Sequence, residues 1–100
     1  MPLFMGFLGG TKPAEPANDD SRAVAEAVKS KVEEALGVTF ATFNVHSHAT
    51  QLVNGINFFL KIETDAAGWI HVRAHRAFDG TVTYANVQKD QTAESELSYF

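Results

Sequence analysis

The chain predicts an α+β domain in which one helix packs across a four- to five-stranded antiparallel sheet. Three observations predict it: a single stretch with helical apolar spacing, a switch to period-two alternation after Gly37, and turn residues that cut the alternating region into four runs. A helix with one apolar stripe and a sheet with one apolar face bury both by packing in two layers. One hundred residues, 45% hydrophobic and 20% charged, supply one modest core. The chain is therefore read as a single domain, 1–100, with a flexible N-terminal trunk and connector at 1–17. A helix at 18–37, an antiparallel meander at 38–90 and a C-terminal segment at 91–100 follow.

The trunk begins with an apolar arm from Leu3 to Gly10. The polar connector after it carries Pro13 and Pro16, whose rings favour extended backbone and suit an edge strand. Asn18-Asp19-Asp20-Ser21 offers N-cap oxygens and acids at a helix N-terminus, and Gly37 is suited to end the helix in a left-handed conformation. Between them Val24, Val28, Val32, Ala35 and Leu36 form the apolar stripe. Arg22, Glu26, Lys29 and Glu33 form the solvated face, with Lys29 and Glu33 spaced as an i, i+4 pair.

In the first alternating run, Val38 to Thr50, the residues Thr39, Ala41, Phe43 and Val45 share a face. In the second, Ile56, Phe58, Leu60 and Ile62 share a stronger one. Asn54-Gly55 joins the two runs, and both residues tolerate the positive φ of a tight primed turn. Asp65-Ala66-Ala67-Gly68 turns the chain into a third strand, Trp69 to Ala77, with Ile70, Val72 and Ala74 inward. Asp79-Gly80 leads to a last strand around Thr81 to Gln88. The polar tail ends in Tyr99-Phe100, expected to dock back on the domain.

Several function classes are disfavoured. A net charge of −4 with scattered Lys and Arg offers no basic stripe for a nucleic-acid backbone. Absence of cysteine removes disulfides, thiolate metal sites and a thiol nucleophile, and suits a cytoplasmic life. The apolar start lacks the basic residues and cleavage site of a signal peptide, and no run reaches membrane-spanning length, so no membrane partner is expected. His46 and His48 are i, i+2 on a strand and so share a face, as do His71 and His75. No third ligand has a defined position, and these histidines are read as polar outer-face residues with no metal or cofactor. No nucleophile elbow, phosphate loop or His-Glu metal helix is present, so the chain is not read as an enzyme.

Gln51-Leu52-Val53-Asn54-Gly55 is the most informative stretch, because a hairpin tip that keeps Leu52 and Val53 has no core to place them in. In a meander, the tips after the first and third strands lie at one end of the sheet. Leu52 to Gly55 and Phe78 to Gly80 should therefore sit side by side. With the apolar trunk beside them they would form a wedge.

The order of Gly9-Gly10, a capped helix, Gln51-Leu52-Val53-Asn54-Gly55 and Ile56-Asn57-Phe58-Phe59-Leu60-Lys61-Ile62 resembles the cystatin family of cysteine protease inhibitors. Gln51, Val53 and Gly55 match its Gln-x-Val-x-Gly pattern. Trp69-Ile70-His71-Val72-Arg73 and the ending Glu94 to Phe100 look like the stefin branch, which lacks disulfides and a signal peptide. The resemblance implies reversible, tight-binding inhibition of papain-like cysteine proteases of the cathepsin L, B and H type. It implies that Leu8, Gly9 and Gly10 enter the non-primed subsites. Gln51, Leu52, Val53, Asn54 and Gly55, with Phe78, Asp79 and Gly80, would then occupy the primed side.

The chain departs from the stefin pattern at four places. Phe78-Asp79-Gly80 stands where Pro-Gly is common, with a shorter second hairpin; Asn54 replaces Ala; Val87 replaces a frequent Tyr; and the arm before Gly9 is longer. The competing readings are a cystatin-fold ligand carrier or small enzyme, which would leave a lined cavity between helix and sheet, and a binding module without protease inhibition. A monomer is expected, with a domain-swapped dimer as the product of opening the first hairpin.

Overall fold

The computed structural model describes residues 14–98 and residue 100. In chain order these form β1 (Glu15–Pro16), α1 (Asp19–Leu36), β2 (Phe43–Val53), β3 (Gly55–Thr64), β4 (Trp69–Arg76) and β5 (Val82–Gln91). The strands make one five-stranded sheet in the order β1-β2-β3-β4-β5, with every neighbour pair antiparallel. The Pro16 connector is thus the edge strand that its proline permits.

Helix α1 starts where its cap residues predict. The Asn18 side chain accepts from the Ser21 N–H at 2.8 Å, and the Ser21 hydroxyl accepts from the Asn18 N–H at 3.0 Å, a reciprocal capping box. Gly37, at φ 71° and ψ 32°, ends it by donating to the Glu33 carbonyl. Val24, Ala25, Val28 and Val32 are buried against Phe58, Leu60, Ile62, Ile70, Val72 and Ala74. The predicted inner faces of β3 and β4 therefore meet the helix as expected. Ala35 does not belong to the stripe; it is exposed, and Ala25 occupies the stripe instead. Glu33 does not pair with Lys29; its carboxylate accepts the Phe40 N–H at 2.9 Å and so fastens the chain beyond the helix.

That contact explains a difference from the predicted first strand, which begins at Phe43 rather than Val38. The Phe40 donor goes to Glu33, and the Ala41 and Thr42 donors go to the Asp65 carboxylate, each at 3.1 Å. These donors serve side chains and do not enter a ladder, so the segment is a loop. Thr39 and Ala41 are exposed as a result, whereas Phe40 is buried and stacks on Phe43 with ring centroids 5.1 Å apart.

A bulge in β2 overturns the expected pairing of His46 with His48. Val45 faces Ile62 and Ser47 faces Lys61, so His46 is an extra residue and the side-chain alternation changes phase across it. His46 meets the edge of the Trp69 ring at 5.5 Å, on the face away from the helix. His48 lies opposite the core residue Leu60 and is buried on the helix side. The last strand also runs on to Gln91, with irregular registers that place Asp90 at φ 62°.

Candidate functional site

One end of the sheet gathers the unusual surface. Leu52, Ile56, Arg76 and Val82 form a single row of partners across β2, β3, β4 and β5. The β2–β3 and β4–β5 tips therefore project from the same end, as the meander predicts. Strand β1 runs antiparallel to β2, with Glu15 opposite His48 and Pro16 opposite Ser47, so its N-terminal end also faces the tips. Leu8, Gly9 and Gly10 lie outside the described residues.

The two tips carry the exposed large hydrophobic residues found among the described residues. Leu52 is 72% exposed, Val53 41% and Phe78 78%. Isolated apolar residues on a surface are ordinary, but three at adjacent tips form a patch with a direction. The other large apolar side chains among the described residues are buried or half-buried. Leu60, Ile62, Ile70 and Val72 are fully buried, so the space between helix and sheet is filled. A groove lined by Arg22, Ala25, Glu26, Phe43, Asn44 and Val45 is open and lies at the margin between α1 and β2.

The first tip is narrower than the predicted primed turn. Val53 and Gly55 face each other as the last pair, which leaves Asn54 alone at the apex. Gly55 has φ 103°, whereas Asn54 is not among the positive-φ residues, so glycine alone carries the unusual backbone. A side chain at Gly55 would also collide: a Cβ there would stand 2.5 Å from the Arg76 carbonyl oxygen and 2.7 Å from His75 Nε2. Two further contacts brace the tip. Asn57 Nδ2 donates to Gln51 Oε1 at 3.1 Å across the hairpin, and His75 Nε2 lies 2.7 Å from the Asn54 carbonyl oxygen.

The second tip closes on itself. Ala77 N–H donates to the Thr81 carbonyl at 2.8 Å, and Gly80 N–H donates to the Ala77 carbonyl at 2.9 Å. With Gly80 at φ 94°, this is a three-residue loop of the turn-plus-glycine kind. The Asp79 carboxylate accepts the Thr81 N–H at 2.9 Å, and bonds of this kind hold its pKa below the usual carboxylate value. Asp79 therefore shapes its own loop, and Phe78 is left as the apolar projection.

The helix N-terminus is anchored to the same end. Arg76 Nη1 donates to Asp20 Oδ1 at 2.6 Å, and the Arg76 guanidinium lies 4.9 Å from the centre of the Phe58 ring. The hydrogen bond from Arg76 lowers the Asp20 pKa. Sequence reading missed Arg76 and His75 as tip supports. Their signal was the register: His75 lies opposite Asn57, and Arg76 lies opposite Ile56, next to Gly55. Among the described residues, no group of three or more His, Asp or Glu side chains is placed to hold a metal ion. None of the described helices is long and apolar enough to cross a membrane.

No family model matches the chain. It is nevertheless 36% identical over 96 residues to Cystatin-A3 of Dictyostelium discoideum, covering 94% of this chain and all (100%) of that protein. It is 34% identical over 96 residues to Cystatin-A2 of the same organism, covering 96% of this chain and 97% of that protein. With Cystatin-B of Bos taurus the identity is 32% over 97 residues, covering 94% of this chain and 99% of that protein.

Proposed function

Because the chain belongs to the cystatin family, on its stefin-like branch, we propose that it is a reversible, tight-binding inhibitor of papain-like cysteine proteases. Cystatins are protease inhibitors and not enzymes, and no catalytic residue is assigned. In this reading the wedge fills the enzyme's cleft without presenting a peptide bond to its thiolate. Gln51, Leu52, Val53, Asn54 and Gly55 form its first edge, and Phe78, Asp79 and Gly80 its second. Leu8, Gly9 and Gly10 supply the trunk, where glycine lets backbone approach the enzyme closely. The targets are enzymes of the cathepsin L, B and H type, met in the cytoplasm, as the stefin resemblance implies.

The observation that carries the reading is that Leu52, Val53 and Phe78 are exposed at neighbouring tips at one end of the sheet, whereas the other large apolar side chains among the described residues are buried or half-buried. Burying one such side chain in a cleft is worth up to about 1.5–3 kcal/mol, so the two tips offer a partner apolar anchors of the kind that contribute to binding. A carrier or small enzyme built on this fold would need a lined cavity under the helix, and that space is occupied by Val28, Val32, Leu60 and Val72.

Titration of papain, then of a cathepsin L-type enzyme, tests the reading with three proteins: intact chain, Val53→Asp, and a chain lacking Met1 to Gly10. A carboxylate forced into the interface costs about 3 kcal/mol or more, so Val53→Asp should weaken inhibition by about 100-fold. Failure of the folded, intact protein against both enzymes would end the inhibitor reading.

A further inference from the structure

We infer that His75 is a positioning residue for the first tip: reaching from β4, its ring holds the Asn54 carbonyl and fixes the attitude of Leu52 and Val53. The inference rests on the inhibitory reading for its consequence, but its geometric basis is independent of any protease. Asn54 is the sole residue between the last pair of β2 and β3, so its carbonyl stands at the apex of the hairpin. His75 Nε2 lies 2.7 Å from that oxygen. A carbonyl oxygen only accepts, so the ring nitrogen must donate, and Nε2 carries the proton.

The contact crosses from one hairpin to the next. His75 pairs with Thr83 on β5 and with Asn57 on β3, and Asn57 in turn donates to Gln51 on β2. A chain of contacts thus runs from the second hairpin, through His75, to both sides of the first tip. Gly55 makes the approach possible, since any Cβ there would stand 2.7 Å from His75 Nε2. The missing side chain is the space into which the imidazole fits. The glycine of the tip and the histidine of β4 therefore form one device, which ties the first tip to the strand that leads into Phe78. A tip held this way enters a cleft with its apolar side chains already oriented, and less conformational freedom is lost on binding.

The experiment compares the intact chain with His75→Leu and His75→Gln, whose side-chain amide restores a donor near the Nε2 position. Ring nitrogen shifts in a ¹⁵N-histidine sample should show His75 protonated at Nε2. Amide relaxation should show increased motion at Leu52 to Gly55 in His75→Leu, at unchanged thermal midpoint within a few degrees. Loss of one such hydrogen bond should speed dissociation from papain by about 3- to 10-fold, and His75→Gln should recover most of it. Unchanged tip relaxation in His75→Leu, a ring protonated only at Nδ1, or a His75→Gln variant as fast to dissociate as His75→Leu would each overturn the inference. If the intact protein binds no papain-like enzyme, the inhibitory reading fails, while the nitrogen shifts and relaxation still decide the role of His75.

Discussion

Helix α1 covers one face of the sheet with valines, whereas the C-terminal segment covers the other with carbonyl groups. On the inner face Val24, Val28 and Val32 meet Leu60, Ile62, Ile70 and Val72, each 2% exposed or less. On the outer face the register sets Lys61 beside His71 and Phe59 beside Arg73. There Lys61 Nζ donates to the carbonyl oxygens of Ala93 and of Ser95, the latter at 2.8 Å, and Arg73 donates to the Phe100 carbonyl. The Phe100 ring meets the edge of Phe59 at 5.8 Å. Burial of apolar area is non-directional and indifferent to protonation. Buried cations fastened to backbone acceptors are favourable only while every partner stays in place. The inner face should therefore set the global stability, and the outer face should answer to salt, truncation and pH.

The largest effect expected is from the inner face. Leu60 is fully buried in the two-layer core, and Leu60→Ala should cost about 3 kcal/mol through lost burial and a residual cavity. Urea unfolding would show a lower midpoint at unchanged slope. A loss well under 1 kcal/mol would mean that the helix–sheet seam is not the principal core. Next comes removal of residues 92–100, which strips the acceptors from Lys61 and takes the Phe100 ring from Phe59, now 1% exposed. We expect a cost of about 2 kcal/mol, concentrated on the outer face. Hydrogen exchange should accelerate more at the β3 and β4 amides than in α1; uniform acceleration would contradict a distinct outer layer.

The two faces also differ in how far the sequence revealed them. Ile56, Phe58, Leu60 and Ile62, with Ile70, Val72 and Ala74, announce the inner face because its rule is simple alternation against a helix stripe. The outer face follows no such rule. Phe59, Lys61 and Arg73 look like a mixed solvent face until the C-terminal segment meets them, and only the ending Tyr99-Phe100 hinted at docking. The β2 bulge was equally hidden, since one extra residue at His46 changes no composition but reverses the facing of His48. At the candidate site, Leu52, Val53 and Phe78 were legible because apolar residues in turns contradict the pattern around them. His75 was not, because its role depends on cross-strand register and on the absent side chain of Gly55.

A smaller effect should come from Lys61→Met, which keeps the length of the side chain but leaves the Ala93 and Ser95 carbonyls without their ammonium donor. The charge also lies 5.5 Å from the centre of the Trp69 ring. A loss of about 1–2 kcal/mol is expected, since the buried cation carries its own desolvation cost. Trp69 fluorescence together with limited proteolysis of the tail would check it. A Lys61→Met protein as stable as the parent, with its tail equally protected, would mean that Lys61 merely fills space.

The smallest effect is a pH dependence carried by His71 on the outer face. His71 is 1% exposed, its Nε2 has no hydrogen-bond partner among the described residues, and burial, followed by the neighbouring Lys61 charge, holds its pKa below the ordinary 6.5. In the unfolded chain His71 takes up a proton as pH falls through about 6.5, while in the folded protein it resists until lower pH. The unfolded state then binds more protons, so stability rises with pH across that window. The His71 contribution is complete above the unfolded pKa and is lost as pH falls through the folded one. Asp20, Asp65 and Asp79 are depressed from 3.8 and act at still lower pH, so their losses come later in an acid titration. Urea midpoints at about pH 8, 6.5 and 5 should fall toward acid for the parent and fall less for His71→Gln. Lys61→Met should show an intermediate slope, because it removes the charge but not the burial. Ser95, whose carbonyl is held by Lys61 beside His71, should lose exchange protection before Val28 does. Parallel pH profiles for the parent and His71→Gln would place the acid sensitivity elsewhere than at His71.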